Sequence, residues 1–375
     1  MVVLIFETAS DIHWMKDVVQ FPNAISRVKM QELKATIITR PNHKQLELQN
    51  HINLFYLGES IPTNYYNFEN SIYNSIETSS QWYYQACKYA TKIASVLILY
   101  PFYGDASSGA RYYKLKRWLS FKKSIVILKS DGTLGDKSKH KPSIKEIIKD
   151  RINYFFIDKI VIENFEIFSN LKTNYPHLSK KLYFVPNCPL NLYHSQNMIP
   201  YNMRSNNFLF VGRVSDLDKG INILLDAWSK ISGKIPSWTL SIVGPYDVEF
   251  KEEWDRKFEN LKIKDSVIWY GMLNPEDLIK VYGEAKIVVC SSRKESGPIV
   301  LSEAALSGCA FIGTNVGEIS DVLKGLPGLV TDINEIGDVM LSFTRNDNIA
   351  SEQAKTLHLQ MRDRRWDNQI RNLFL

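Results

Sequence analysis

Two stretches of this 375-residue chain hold side chains of the kind that meet a phosphorylated ligand. The first is Phe208-Leu-Phe-Val-Gly-Arg213, followed by Asp218-Lys-Gly-Ile221. An apolar run ending in Gly212 lets backbone approach a ligand closely. Arg213 and Lys219 follow where two cations can neutralise a diphosphate. Alone, such a pair reads more simply as solvated charge. The second stretch is Ser291-Ser-Arg-Lys-Glu-Ser-Gly-Pro-Ile-Val-Leu-Ser-Glu303-Ala-Ala-Leu-Ser-Gly308. Ser291 and Ser292 close a strand-like run, Glu295 starts a turn, and Gly297-Pro298 leads into a helix whose first turn tolerates a residue without an N–H. The amides of Ile299 and Val300 then point at an anion with the helix dipole behind them. Glu303, about one turn in, is placed to accept hydrogen bonds from two vicinal hydroxyls of a ribose, and Glu295 from those of a second sugar. The plainer role of either glutamate is to favour a helix N-terminus, by about 0.3 to 1 kcal/mol.

The elements that must carry these loops are short apolar runs alternating with helical patterns. That arrangement predicts an α/β protein with parallel sheets covered by helices. Strands are expected at Val2–Phe6, Ala35–Thr39, Ile52–Tyr56, Ser95–Leu99, Ser124–Leu128, Lys159–Ile162 and Leu182–Val185. In the second half they are expected at Phe208–Val211, Thr239–Val243, Val267–Tyr270, Ile287–Cys290 and Ala310–Ile312. Between the halves, residues 186–207 are rich in Pro, Asn and Tyr and lack periodicity, as a linker does. The expected organisation is a first Rossmann-like domain over 1–190, a linker over 191–205, a second Rossmann-like domain over 206–355, and a helix over 356–375 that returns to the first domain. Trp366, Ile370 and Phe374 would form the buried stripe of that helix. Two doubly wound sheets joined by a short hinge would face each other across a cleft at the carboxyl ends of their strands.

Composition limits the alternatives. Hydrophobic residues make up 45% and charged residues 23%, ordinary for a globular chain and unlike a disordered or coiled-coil one. No run reaches the roughly 18 apolar residues of a membrane span, and Val2–Phe6 has neither the basic flank nor the cleavage site of a signal peptide. Cys87, Cys188, Cys290 and Cys309 are far apart and form no Cys-x-x-Cys, which fits a reducing compartment without zinc. The net charge of +6 is concentrated: residues 111–149 hold twelve Lys or Arg against three acids. Tyr112, Tyr113, Trp118 and Phe121 are interleaved with Arg111, Lys114, Lys116, Arg117, Lys122 and Lys123. That mixture suits an anionic membrane surface or a solvated helix face. No nucleic-acid-binding signature accompanies it.

Taken together, Gly212-Arg213, Lys219-Gly220, Tyr270-Gly271, the pair Glu295 and Glu303 followed by Ala304 and Gly308, and Thr314-Asn-Val-Gly317 before Asp321 resemble the nucleotide-sugar half of a retaining GT-B glycosyltransferase of family 4. The resemblance is close over 206–330 and weak elsewhere. It implies that Arg213 and Lys219 hold the donor diphosphate, Glu303 the ribose and Glu295 the transferred sugar. Gly212, Pro298, Ile299 and Val300 would complete the donor site, and the backbone of Tyr270, Gly271 and Met272 would line the base. The implied donor is a UDP- or GDP-sugar, with no cofactor. The chain is expected to lack an Asp-x-Asp metal motif and to act without a metal. The acceptor would be a glycan or lipid-linked glycan of a bacterial surface polysaccharide, and the location cytoplasmic or peripheral at the inner face of the membrane. The first half departs from the family, lacking a Gly-Gly pair after its first strand and a histidine beside the reacting sugar. Asp131, in Lys129-Ser-Asp-Gly132, is the catalytic candidate there, set against a plain Asp-Gly turn. Asp17 and His13 are weaker candidates. Two rivals remain: a nucleotide-sugar epimerase on the same fold, and a non-catalytic GT-B partner subunit.

Overall fold

The computed structural model describes residues 1–5, 17–32, 34–39, 52–56, 76–100, 106–130, 134–195, 198–214 and 217–374. These form two compact units, Met1–Cys188 with Trp366–Leu375, and Pro189–Arg365.

The first unit is a parallel sheet of seven strands: β1 (Val2–Ile5), β2 (Thr36–Thr39), β3 (Asn53–Tyr56), β4 (Val96–Leu99), β5 (Ile125–Ser130), β6 (Lys159–Ile162) and β7 (Leu182–Phe184). Their order is β3-β2-β1-β4-β5-β6-β7. Helices cover both faces, so β1 and β4 are apolar throughout and wholly buried rather than alternating. One face packs on the helix Asp17–Ile25 and on the chain's last turns. There Trp366 meets Phe21 edge-on, with ring centroids 5.9 Å apart, and Arg27 pairs with Asp367 at 2.6 Å. The other face packs on Ile76–Ile93 and Ala106–Leu119, with Tyr83, Ala86, Cys87 and Tyr113 in its core.

The second unit repeats the plan with β8 (Ser205–Val211), β9 (Thr239–Val243), β10 (Val267–Gly271), β11 (Ala285–Cys290), β12 (Ala310–Thr314) and β13 (Leu329–Val330), in the order β10-β9-β8-β11-β12-β13. Leu209 lies opposite Val288, which brings the end of β8 level with the end of β11. The helix Ile221–Ile231 buries Ile221, Leu224, Leu225, Trp228 and Ile231 on this sheet, the i, i+3, i+4, i+7 stripe of an amphipathic helix.

Four expectations need correction. The return to the first unit begins at Trp366, and residues 189–205 belong to the second unit. The last segment is two helices, Asp347–Met361 and Trp366–Arg371, because Arg364 turns inward to pair with the buried Glu318 and donates to Ser302 Oγ at 3.1 Å. The final buried stripe is Trp366, Ile370 and Leu373, with Phe374 only partly covered. In the basic segment, Lys129, Arg117 and Tyr113 are buried and Lys114 is spoken for by Asp158 at 2.6 Å, so its surface charge is lower than its composition suggests.

Candidate functional site

The order of the second sheet reverses between β8 and β11, the place where an open α/β sheet parts its loops and accepts a ligand. The two stretches picked out by residue type leave the sheet at this point. After β8, Arg213 is exposed, and Lys219 precedes Gly220, which begins the helix Ile221–Ile231 with φ +62°. A Cβ at Gly220 would lie 2.0 Å from the carbonyl oxygen of Ser291, so only glycine lets the two loops touch. They are stitched together by Ser291 Oγ donating to the Lys219 carbonyl at 3.0 Å and by the Arg293 amide donating to the Asp218 carbonyl at 2.7 Å.

Lys219 and Glu295, far apart in sequence, meet here. Lys219 Nζ lies 2.6 Å from Glu295 Oε1, which also accepts from Ser292 Oγ at 2.7 Å. Their side chains keep 24% and 10% of their exposure, so the pair is open to a ligand. Gly212 lies against the same lysine, a Cβ there falling 4.0 Å from Lys219 Cγ. The Glu295 loop rests on the turn before the helix Gly317–Val322: Gly317 has φ +51°, and the Glu318 amide donates to the Ser296 carbonyl at 3.0 Å. Thr314 Oγ1 holds the Ser292 carbonyl at 2.5 Å. Burial raises the neighbouring Cys290 thiol to about 11, which leaves it protonated at neutral pH and no nucleophile.

Pro298 is the N-cap of the helix Ile299–Leu306 rather than a residue of its first turn, and no side chain caps it. The leading amides of Ile299 and Val300 therefore start an uncapped helix beside the Glu295 loop. Glu303, within this helix, has partners of its own. It accepts from Tyr282 Oη at 2.8 Å and lies in hydrogen-bond contact with Tyr193. Burial raises its carboxyl pKa to about 7, against the opposing effect of those two phenols. Tyr270 and Met272 are exposed around Gly271 at the end of β10, where the ladder with β9 is irregular. Gly244, with φ +140°, joins this row: its amide donates to the Gly271 carbonyl at 2.8 Å, and a Cβ would fall 1.7 Å from the Gly212 carbonyl oxygen.

Residue types alone did not reveal Tyr193, Tyr282, Ser292 or Gly244. Gly244, directly after the apolar Thr239–Val243, carried the one usable signal, a glycine ending a strand. His13 and Asp131 lie outside the described residues, and Asp17 is described only in backbone, as the first residue of Asp17–Ile25. The expectation of metal independence overlooks Asp216-Leu-Asp218, a literal Asp-x-Asp. Asp216 is outside the described residues, and the described ones hold no group of three His, Cys, Asp or Glu that could bind a metal.

The family match falls within this unit. Residues 196–352 match the family described as Glycosyl transferases group 1. A curated Klebsiella pneumoniae protein of 41.2 kDa, described as uncharacterized and in the cps region, is 32% identical over 144 residues, 37% of each chain. The D-inositol 3-phosphate glycosyltransferase of Corynebacterium urealyticum is 30% identical over 129 residues, 33% of this chain and 30% of that one. The chain thus matches about a third of the length of these curated relatives. Among solved structures, Anabaena HepE in complex with UDP and glucose superposes with a TM-score of 0.68 at 12% identity, over 99% of this chain and 98% of that one. Sucrose-phosphate synthase from Thermosynechococcus elongatus gives 0.70 at 14% identity, over 99% and 96%. At such identities the likeness is one of fold: two parallel-sheet, Rossmann-like domains of the GT-B glycosyltransferase class. No helix among the described residues is long and apolar enough to cross a membrane.

Proposed function

We propose that the protein is a retaining glycosyltransferase of family 4, moving a sugar from a UDP- or GDP-sugar to an acceptor hydroxyl in the assembly of a bacterial surface glycan. The observation that carries this reading is the open Lys219–Glu295–Ser292 cluster at the switch point of the second sheet, inside the segment that matches the group 1 family. As the bond between sugar and diphosphate breaks, negative charge grows on the departing phosphate. Lys219 has three N–H donors and spends one on Glu295, so it can also hold a phosphate oxygen. Arg213 and the amides of Ile299 and Val300 would add to that field, a preorganised electrostatic stabilisation of the leaving group. Glu295, paired with Lys219, would meet the hydroxyls of the transferred sugar, and Glu303 those of the ribose. Gly212, Gly244 and Gly271 bring three strand ends close enough for backbone to line a nucleotide. In support, the solved neighbour HepE binds UDP and glucose, and the Klebsiella relative comes from a cps region. An acceptor that is a glycan or a lipid-linked glycan fits that setting.

The test is a panel of nucleoside-diphosphate sugars scored for nucleotide release, with the anomeric configuration of the product read by NMR and each reaction repeated in excess EDTA. Retained configuration and unchanged turnover in EDTA are expected. Inversion, or loss of turnover in EDTA with rescue by a divalent metal, would overturn the finer reading. A donor converted to its epimer without any acceptor would identify an epimerase, and absence of donor binding a non-catalytic subunit.

A further inference from the structure

The helix Ile144–Asn153 of the first unit is amphipathic the wrong way round for a globular surface. Its capping box is complete, with the Ser143 amide donating to Glu146 Oε2 at 2.7 Å and the Glu146 amide to Ser143 Oγ at 3.3 Å. The one residue it buries is an aspartate, Asp150, which pairs with Lys137 and lies 3.3 Å from His177 Nε2. Ile144, Ile148 and Ile152, spaced one turn apart, point outward and keep 77%, 54% and 66% of their exposure. A stripe of three isoleucines facing water wastes apolar surface that a core would have covered.

That stripe continues. Ile152 and Phe155, the latter 70% exposed, border a hollow of about 530 Å³ shared with Ser107, Ser108, Arg111 and Arg151. Arg111 opens a second outward row on the helix Ala106–Leu119, where Leu115, Trp118 and Leu119 follow at helical spacing, Trp118 being 73% exposed. Phe121, in the turn beyond, is 99% exposed with φ +52°. Among the described residues, the exposed charges flanking this apolar track are mostly positive. Lys141, Lys145, Lys149, Arg151, Arg111 and Lys116 are exposed, whereas Glu146 is used in the cap and Asp150 is buried.

We propose that this face docks on an anionic bilayer, its isoleucines and aromatic tips entering the headgroup boundary and its lysines and arginines lying at the level of the lipid phosphates. Two arginines lining one hollow suit a headgroup phosphate. A second copy of the chain is the poorer occupant, because two such faces would set like charges against each other. Nucleic acid would leave the isoleucine stripe uncovered. The inference does not depend on glycosyl transfer, since the face and the Lys219 cluster share no residue.

Vesicle sedimentation with phosphatidylcholine alone and with added phosphatidylglycerol tests it. Binding should need the anionic lipid and weaken as salt shortens the screening length. Replacing Lys145, Lys149 and Arg151 by Gln should cost about fivefold in partitioning per charge. Ile148→Glu with Ile152→Glu should abolish binding. Both residues are exposed, so the variants should keep their circular dichroism and their affinity for nucleoside diphosphate, which separates this outcome from failure of the donor-site reading. Equal binding to neutral and anionic vesicles, or binding indifferent to these substitutions, would overturn the proposal. So would a lipid-free dimer in sedimentation velocity that Ile148→Glu disperses.

Discussion

Both units thread their strands with the first and fourth adjacent at the centre, and each holds a lysine–glutamate pair near the carboxyl ends of its strands, β5 and β6 in the first and β8 and β11 in the second, but the two ion pairs are finished differently. In the first unit Lys129, near the end of β5, reaches Glu163, just past β6, at 2.9 Å, and the Asn187 amide donates to the same carboxylate at 3.0 Å. Phe21 and Tyr100 rings flank the ammonium at 5.8 Å, and the pair keeps 0% and 6% exposure. In the second unit Lys219 and Glu295 keep 24% and 10%. A sealed pair has every donor committed inside the protein and can only hold structure. A pair left open can take on a phosphate oxygen or a sugar hydroxyl without breaking, which separates scaffold from site in two copies of one plan.

The largest effect should come from breaking the sealed pair. Lys129→Met leaves Glu163 buried with one amide partner, and should cost about 3–5 kcal/mol in urea denaturation while nucleotide affinity in the folded protein stays unchanged. Lys219→Met, at the open pair, should cost no more than about 1 kcal/mol. Equal losses would erase the contrast. Turnover should behave in the opposite sense: Arg213→Ala and Lys219→Ala should each lower it about 100-fold with unchanged circular dichroism, since each would remove a charge that the proposed reaction sets against the leaving diphosphate. Full activity in either variant would remove that residue from the site.

Within the second unit, Glu303→Ala should weaken nucleoside binding about tenfold in calorimetry, the worth of one charge-assisted hydrogen bond, whereas Glu295→Ala should lower turnover more than affinity. The reverse pattern would exchange their roles. The smallest effect is on pH. With its pKa raised to about 7 by burial, Glu303 gains a proton as pH falls from 8 to 6 and loses acceptor capacity, so binding of the bare nucleoside should decline several-fold over that range. A nucleoside keeps the ligand's own phosphate titration out of the measurement. Tyr282→Phe removes a hydrogen bond that holds the pKa down, and should move the midpoint higher. In the unliganded protein the same raised pKa means that the folded state binds the proton more tightly. Its stabilising contribution is therefore full in the acid range and fades as pH rises toward 7.

Most of the sheet was legible because strands buried on both faces are written as continuous apolar runs. Lys159–Ile162 and Thr239–Val243 match the expected bounds, while β5 runs on to Ser130 because its last residues are a buried lysine and serine, not apolar ones. The short β13 carries two residues and too little pattern to stand out. Within the site, Lys219 and Glu295 could be named from residue type, since glycine and proline punctuate their loops. Tyr193 and Tyr282 could not: a buried tyrosine looks the same in sequence whether its hydroxyl meets a carboxylate or a carbonyl. The docking face was half legible, in its charge and in Trp118 and Phe121. The rest of its apolar part lies in Ile144, Ile148 and Ile152, whose spacing is that of any helix packed on a core, and only tertiary structure shows which way it points.

The first unit is interrupted by the second, and this gives the molecule a timetable. On the ribosome, the core around Phe21 waits for Trp366, Ile370 and Leu373 until all of residues 189–365 have been made, a delay on the order of ten seconds or more at roughly 5–20 residues per second. Through that interval the groove destined for Trp366 stands open on a nascent chain, while the second unit, complete in one continuous stretch, is free to fold. The unit begun first is therefore finished last. A chaperone that shields the Phe21 surface during synthesis would raise the yield of native protein far more than one acting on the second unit.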